Sequence, residues 1–138
     1  MTMDEIPAGL SAFLAAVQAR DAAGAAAQLA EYVILENPIA VEPFVGREQV
    51  AKVVAQSIDA FDEYTVTEII SGDGHFAVIT NIKIGVAEID GVDLIGINAE
   101  GKVASLSIHL RPLHAIVTLQ NRLAPALSIP LLRLTEDH

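Results

Sequence analysis

An α+β fold, with helices layered on one face of a curved antiparallel sheet, follows from three features of the sequence. Apolar residues recur at helical spacing over most of the first 61 positions, interrupted by one short strand-like run. After Asp62 the apolar period changes from 3.6 to 2, and four strand-like runs follow, separated by glycine-containing turns. Helices first and strands afterwards is the order of an α+β domain, not of alternating βαβ units.

Met1 to Ile6 reads as a frayed start. Pro7 suits the first turn of a helix, and Leu10, Phe13, Leu14 and Val17 then fall on one helical face. Asp21 is a natural N-cap for a second, alanine-rich helix over Ala22 to Ala30, which Gly24 weakens. Tyr32 to Asn37 reads as a strand with Val33, Leu35 and Asn37 on one face, and Ile34 and Glu36 on the other. Pro38 and Pro43 then pin the connecting path, because each holds the residue before it, Asn37 and Glu42, out of the helical basin. A third helix begins near Gly46, with Val50, Val53, Val54, Ile58 and Phe61 as its apolar stripe and Glu48, Lys52, Gln56 and Asp59 opposite.

Tyr64 to Ile70, Phe76 to Ile84, Val86 to Asn98 and Lys102 to Arg111 are the expected strands, divided by the glycines at 72 and 74, by Gly85 and by Glu100-Gly101. Several are apolar at consecutive positions, as at Ala77, Val78 and Ile79, so both faces of the sheet should be covered. The helices cover one face; a second copy of the chain, in a homodimer, is expected on the outer one. Pro112 ends the last strand, and 113–138 reads as a short helix followed, beyond Pro125, by an apolar tail that should pack on its own domain or on the partner.

A chain of 138 residues fits one domain, 1–138, with room for a core. The 52% hydrophobic content exceeds what so small a domain needs, which points to an internal pocket as well as an interface. No run approaches the ~18 apolar residues of a membrane span. A net charge of −10 argues against nucleic acid and anionic lipid as partners. Without cysteine there is neither disulfide nor thiol nucleophile, and without a basic and apolar leader the expected location is cytoplasmic.

Five short stretches together resemble the nuclear transport factor 2-like superfamily, and its SnoaL-like members in particular. They are Phe13-Leu14-Ala15-Ala16 with Asp21; Glu36-Asn37-Pro38 with Glu42-Pro43; Gly46-Arg47-Glu48; Val92-Asp93; and Gly101-Lys102-Val103 ahead of Arg111-Pro112-Leu113. The resemblance implies a cone-shaped, cystatin-like α+β fold whose concave sheet face carries the three N-terminal helices. Around Pro38 the chain is most similar to the ketosteroid isomerases, which use an aspartate base, a tyrosine and a protonated aspartic acid. Those positions are occupied here by Asn37, Phe13 and Asp93, so only the acid is retained. A carboxamide cannot take a proton near neutral pH and phenylalanine has no hydroxyl to donate, which argues against steroid isomerisation by that route.

Asp93 lies among Val92, Leu94, Ile95 and Ile97. Facing the pocket it would be a desolvated acid able to donate to a ligand carbonyl; otherwise it is a strand-start acid bonded to backbone or solvent. Asn37 either orients a ligand or water in the pocket or forms an Asx turn. Phe13, Val54, Val78, Ile82, Ile95, Leu106 and Ile108 are the expected ligand-binding wall, which core packing would explain equally. Alternation directs Glu36 away from the pocket and places Glu42 at its rim.

His109 should face outward with Ser105, Ser107 and Arg111, suited to an interface. Neither serine carries the glycine pattern of a nucleophile elbow. His75, His114 and His138 add no metal-ligand spacing, and no cofactor is implied. Two functions remain open: a pocket protein that binds a small hydrophobic, carbonyl-bearing ligand, or an isomerase, cyclase or hydrolase acting on a polycyclic or terpenoid-like substrate with Asp93 as acid.

Overall fold

The computed structural model describes residues 6–135. Its elements are α1 (Ala8–Gln18), α2 (Ala22–Ala26), β1 (Leu29–Glu36), β2 (Phe44–Val45), α3 (Arg47–Ala60), β3 (Glu63–Ser71), β4 (His75–Ile84), β5 (Ala87–Ile97), β6 (Val103–Arg111) and α4 (Leu113–Leu127). The expected frayed start falls mostly outside the described residues, as does His138; Ile6, the one described member of that stretch, is buried in the core.

Pro7 precedes α1, and Leu10, Phe13, Leu14 and Val17 are its buried stripe. Asp21 caps α2 by accepting a hydrogen bond from the Gly24 backbone N–H at 2.9 Å. That helix stops at Ala26, four residues short of the expected end. Leu29 is already paired with Val103, and the Val103 N–H donates to the Gln28 carbonyl at 2.8 Å. A long-range strand pairing thus overrides the local helix propensity of alanine.

The sheet has six strands in the order β2-β1-β6-β5-β4-β3. The expectation of a wholly antiparallel sheet needs one correction, because β1 runs parallel to β6; the other pairings are antiparallel. Register shifts between Leu29 and Ile34, Val66 and Glu68, and Gly96 and Ile97 bend the strands, which curves the sheet around the helices.

One face carries the helical layer. Leu10, Phe13 and Val17 of α1 and Val50, Val53 and Ile58 of α3 pack with Val33, Leu35, Val78, Ile95 and Leu106 of the sheet. A second apolar cluster forms where Leu119 and Leu123 of α4 meet Ile82, Ile84 and Ile89. Tyr64 and Leu127 pack against both clusters, so the space between them is the seam of the domain. Pro125 does not end α4 as expected; it sits in the last turn, and the left-handed Ser128 closes the helix.

The tail is tethered rather than folded in. Gln120 Nε2 donates to the Pro130 carbonyl at 2.8 Å, and the Asn121 side chain exchanges two hydrogen bonds with the Leu132 backbone. Leu131, Leu132 and Leu134 remain exposed. On the outer sheet face, cross-strand register aligns Ile70, Ala77, Leu94 and Ser107 in one row and Glu68, Ile79, Val92 and His109 in the next. Ile70 is 51% and Leu94 44% exposed there. No described helix is long and apolar enough to cross a membrane.

Candidate functional site

At the seam lies a cavity of about 80 Å³. Phe13 and Val17 of α1, Val53, Val54 and Ile58 of α3, and Leu119 and Leu123 of α4 supply its helical walls. The strands contribute Leu35, Tyr64, Ile82, Asp93, Leu106, Ile108 and Leu110. Strand alternation explains the sheet side: Asp93 is paired with Ile108, and Gly91, two residues earlier, with Leu110, so all point inward from β5 and β6.

Asp93 is the carboxylate of this hydrocarbon enclosure. Burial pushes its carboxyl up to about 7, against a lowering influence from the Tyr64 hydroxyl. Burial is also the main reason the Tyr64 phenol lies well above its ordinary range, with the neighbouring Asp93 charge and hydrogen bond adding to it. Asp93 is half-buried and lies on the cavity lining. Tyr64 Oη donates to Asp93 Oδ2 at 3.4 Å, long for an O–H···O bond, whose usual range ends near 3.0 Å.

Tyr64 also stacks on Phe61, with ring centroids 5.9 Å apart and planes at 11°. Between the two polar residues on β4 sits Thr80, since Tyr64 pairs with Ile82 and Asp93 with Val78. Thr80 Oγ1 is buried without a hydrogen-bond partner among the described residues.

Asn37 is on the cavity wall, and its Oδ1 is committed to a turn, accepting from the Ile39 and Ala40 N–H groups at 3.0 and 2.9 Å. The Asx turn is therefore present: the oxygen holds the loop, and Nδ2 is left without a partner among the described residues. Phe13, Val54, Ile82, Leu106 and Ile108 lie on the wall. Val78 and Ile95 do not. They face the same side of the sheet but are fully buried in the cluster that packs against the helical layer. Glu36 and Glu42 are exposed and away from the cavity.

Sequence reasoning passed over Tyr64, Phe61 and the two α4 leucines. Alternation with Val66 was the available signal for Tyr64; none pointed to α4. His109 is exposed on the outer face, its Nε2 3.0 Å from Ser107 Oγ, off the cavity lining and without a carboxylate partner among the described residues. Among the described residues no group of histidine or carboxylate side chains could hold a metal ion.

Residues 10–106 match the SnoaL-like domain family model. No curated protein sequence matches the chain. Among solved structures, an uncharacterised protein with a cystatin-like fold from Silicibacter pomeroyi is similar at a TM-score of 0.82 and 24% identity, covering 87% of this chain and 85% of its own. A steroid delta-isomerase from Pseudomonas aeruginosa is similar at a TM-score of 0.80 and 20% identity, covering 90% and 95%. A Catenulispora acidiphila protein with a ketosteroid isomerase-like fold, solved with trimethylamine, gives a TM-score of 0.64 at 15% identity, covering 82% and 92%. At these identities the likeness is one of fold.

Proposed function

Because the chain belongs to the SnoaL-like domain family, we propose that it is a pocket protein for a small hydrophobic ligand bearing a carbonyl oxygen, which Asp93 binds as a neutral acid. The observation that carries this reading is the pairing of Tyr64 Oη and Asp93 Oδ2 in an apolar cavity at a distance too long for a strong bond. A ligand oxygen accepting from both hydroxyl groups would make the two short bonds that the pair lacks. The apolar walls would supply the rest of the affinity by area removed from water.

Titration with a neutral aromatic ketone, 2-acetylnaphthalene, tests this. Saturable binding is expected below the midpoint of Asp93 and weaker binding above it, and Asp93→Asn should flatten that pH dependence. An Asp93→Leu variant that binds as tightly as the parent would sink the reading.

One observation favours a second reading, as an isomerase, cyclase or hydrolase on a polycyclic or terpenoid-like substrate. A carboxyl with its midpoint at about 7 can both give and take a proton near neutral pH. Proton exchange separates the two: an enzyme of the isomerase kind would wash the α-protons of the bound ketone into D₂O, and a binder would not.

We also propose that the chain acts in the cytoplasm as a homodimer joined through the outer sheet face. The support is the uncovered row of Ile70, Ala77 and Leu94 beside Ile79 and Val92. A monomer in sedimentation at micromolar concentration would remove the dimer.

A further inference from the structure

The cavity at Asp93 is not the only hollow at the seam. A second, polar one of about 380 Å³ opens beside it, and Val17, Ile58, Phe61 and Tyr64 line both. Size makes this adjacency informative. The inner cavity, at about 80 Å³, is smaller than the roughly 150 Å³ apolar cavity that admits benzene. A ring-bearing ligand is therefore too large for the inner space alone, and the wall formed by those four residues is where the second hollow adjoins it.

The outer hollow has its own chemistry. Its charged side chains are Arg20, Asp62 and Glu63. Both carboxylates are already engaged: Glu63 Oε2 lies 3.3 Å from Lys83 Nζ, and Asp62 Oδ1 3.9 Å from Arg122 Nη1 while Asp62 Oδ2 accepts from the Gly85 N–H. Arg20 has no carboxylate partner among the described residues; its Nη1 donates to the Phe61 carbonyl at 2.7 Å. That bond fixes the guanidinium at the rim of the shared wall, and four of its five N–H donors stay available. Arg20 also sits at φ 61°, the left-handed position that closes α1: its N–H donates to the Val17 carbonyl and the Asp21 N–H to the Ala16 carbonyl, so the end of the helix sets its backbone.

We infer that the ligand is an amphipathic anion, whose apolar carbonyl-bearing end enters the inner cavity toward Asp93 and Tyr64 while a carboxylate at its other end is held by Arg20 in the outer hollow. This rests on the pocket reading above and narrows its ligand to an oxo-carboxylic acid with an apolar body. The planar fork of arginine suits a carboxylate. Phe61 and Tyr64 are the partition across which the body lies.

Two probes that differ only in the carboxylate test it: 2-acetylnaphthalene and 6-acetyl-2-naphthoate, titrated below the midpoint of Asp93 into the parent protein, Arg20→Gln and Arg20→Lys. The chain carries a net charge of −10, so without a local contact the anion should be the poorer ligand. The expected result is a five- to tenfold preference for the naphthoate in the parent, abolished in Arg20→Gln and partly kept in Arg20→Lys, with the ketone bound equally by all three. Equal affinities for the two probes in the parent, or a preference that survives in Arg20→Gln, would overturn the anion site while leaving the pocket intact. Failure of both probes to bind the parent would overturn the pocket reading and this one together.

Discussion

Tyr64 and Asp93, 29 positions apart in the chain, meet across the intervening strand β4 with their oxygens 3.4 Å apart and Thr80 between them. The pair joins a residue the family resemblance highlights to one that it does not. Residue 13, where a ketosteroid isomerase has its phenol, is Phe13 here, yet a phenol reaches the acid from β3. Two oxygen groups, the Tyr64 phenol and the Asp93 carboxyl, therefore stand together in the cavity, while residue 37 carries a carboxamide.

Removing the phenol should separate its two effects. Tyr64→Phe takes away the hydrogen bond that lowers the Asp93 pKa, so the carboxyl midpoint should move further above about 7. Because the bond is long, the loss of stability should stay below about 1 kcal/mol. Chemical denaturation and a carboxyl titration of the variant check both; a downward move of the midpoint would contradict the geometry.

Asp93 also makes stability depend on pH in a stated direction. Its folded pKa is raised to about 7 from an ordinary 3.8, so between these values the folded state holds more protons than the unfolded one. Stability contributed by this group is full below about pH 4, falls as pH rises, and is lost above about pH 7, by on the order of 4 kcal/mol at most. Asp93→Asn should remove that slope and be more stable than the parent at pH 8 by a larger margin than at pH 5. Urea unfolding at the two pH values measures it, and a parent whose stability rises over this interval relative to the variant would contradict it.

Thr80, 2% exposed, carries a buried hydroxyl without a partner among the described residues. An unsatisfied buried hydroxyl costs about 1–3 kcal/mol, and valine has the same shape without it. Thr80→Val should therefore be neutral or stabilising by about 1 kcal/mol in thermal or denaturant unfolding. A loss of more than 1 kcal/mol would mean that the hydroxyl has a partner in solution.

The difference between core and cavity wall gives a fourth expectation. Ile95 is fully buried in the core, whereas Ile108 is half-buried and borders the cavity. Ile95→Ala should cost about 2–5 kcal/mol and leave ligand affinity unchanged, while Ile108→Ala should cost less and alter affinity. Equal losses of stability, with affinity moved only by Ile95→Ala, would reverse the assignment.

Those two isoleucines also mark how far the sequence is legible. Period 2 identifies the inward face of β3 to β6, and the strand limits fall within a few residues because glycine turns separate them. Periodicity says nothing about whether an inward residue will meet a helix or a void, which is why Val78 and Ile95 are read as wall but found in the core. Leu29 and Ala30 are read as helix because their strand partner on β6 lies far along the chain. Tyr64 is missed for the same reason: its contact is with Asp93, two strands away. Asp21 and the Pro38 turn are legible because the N–H groups they satisfy are local.

Ligand binding as proposed requires Asp93 to be a neutral acid inside an apolar cavity. Following the Asp93 side-chain carboxyl carbon by NMR through a pH titration of the free protein tests it most directly. A midpoint at about 7, shifted by burial, is expected; one near the ordinary ~3.9 of an aspartate would show a solvated carboxylate and overturn the neutral-acid site.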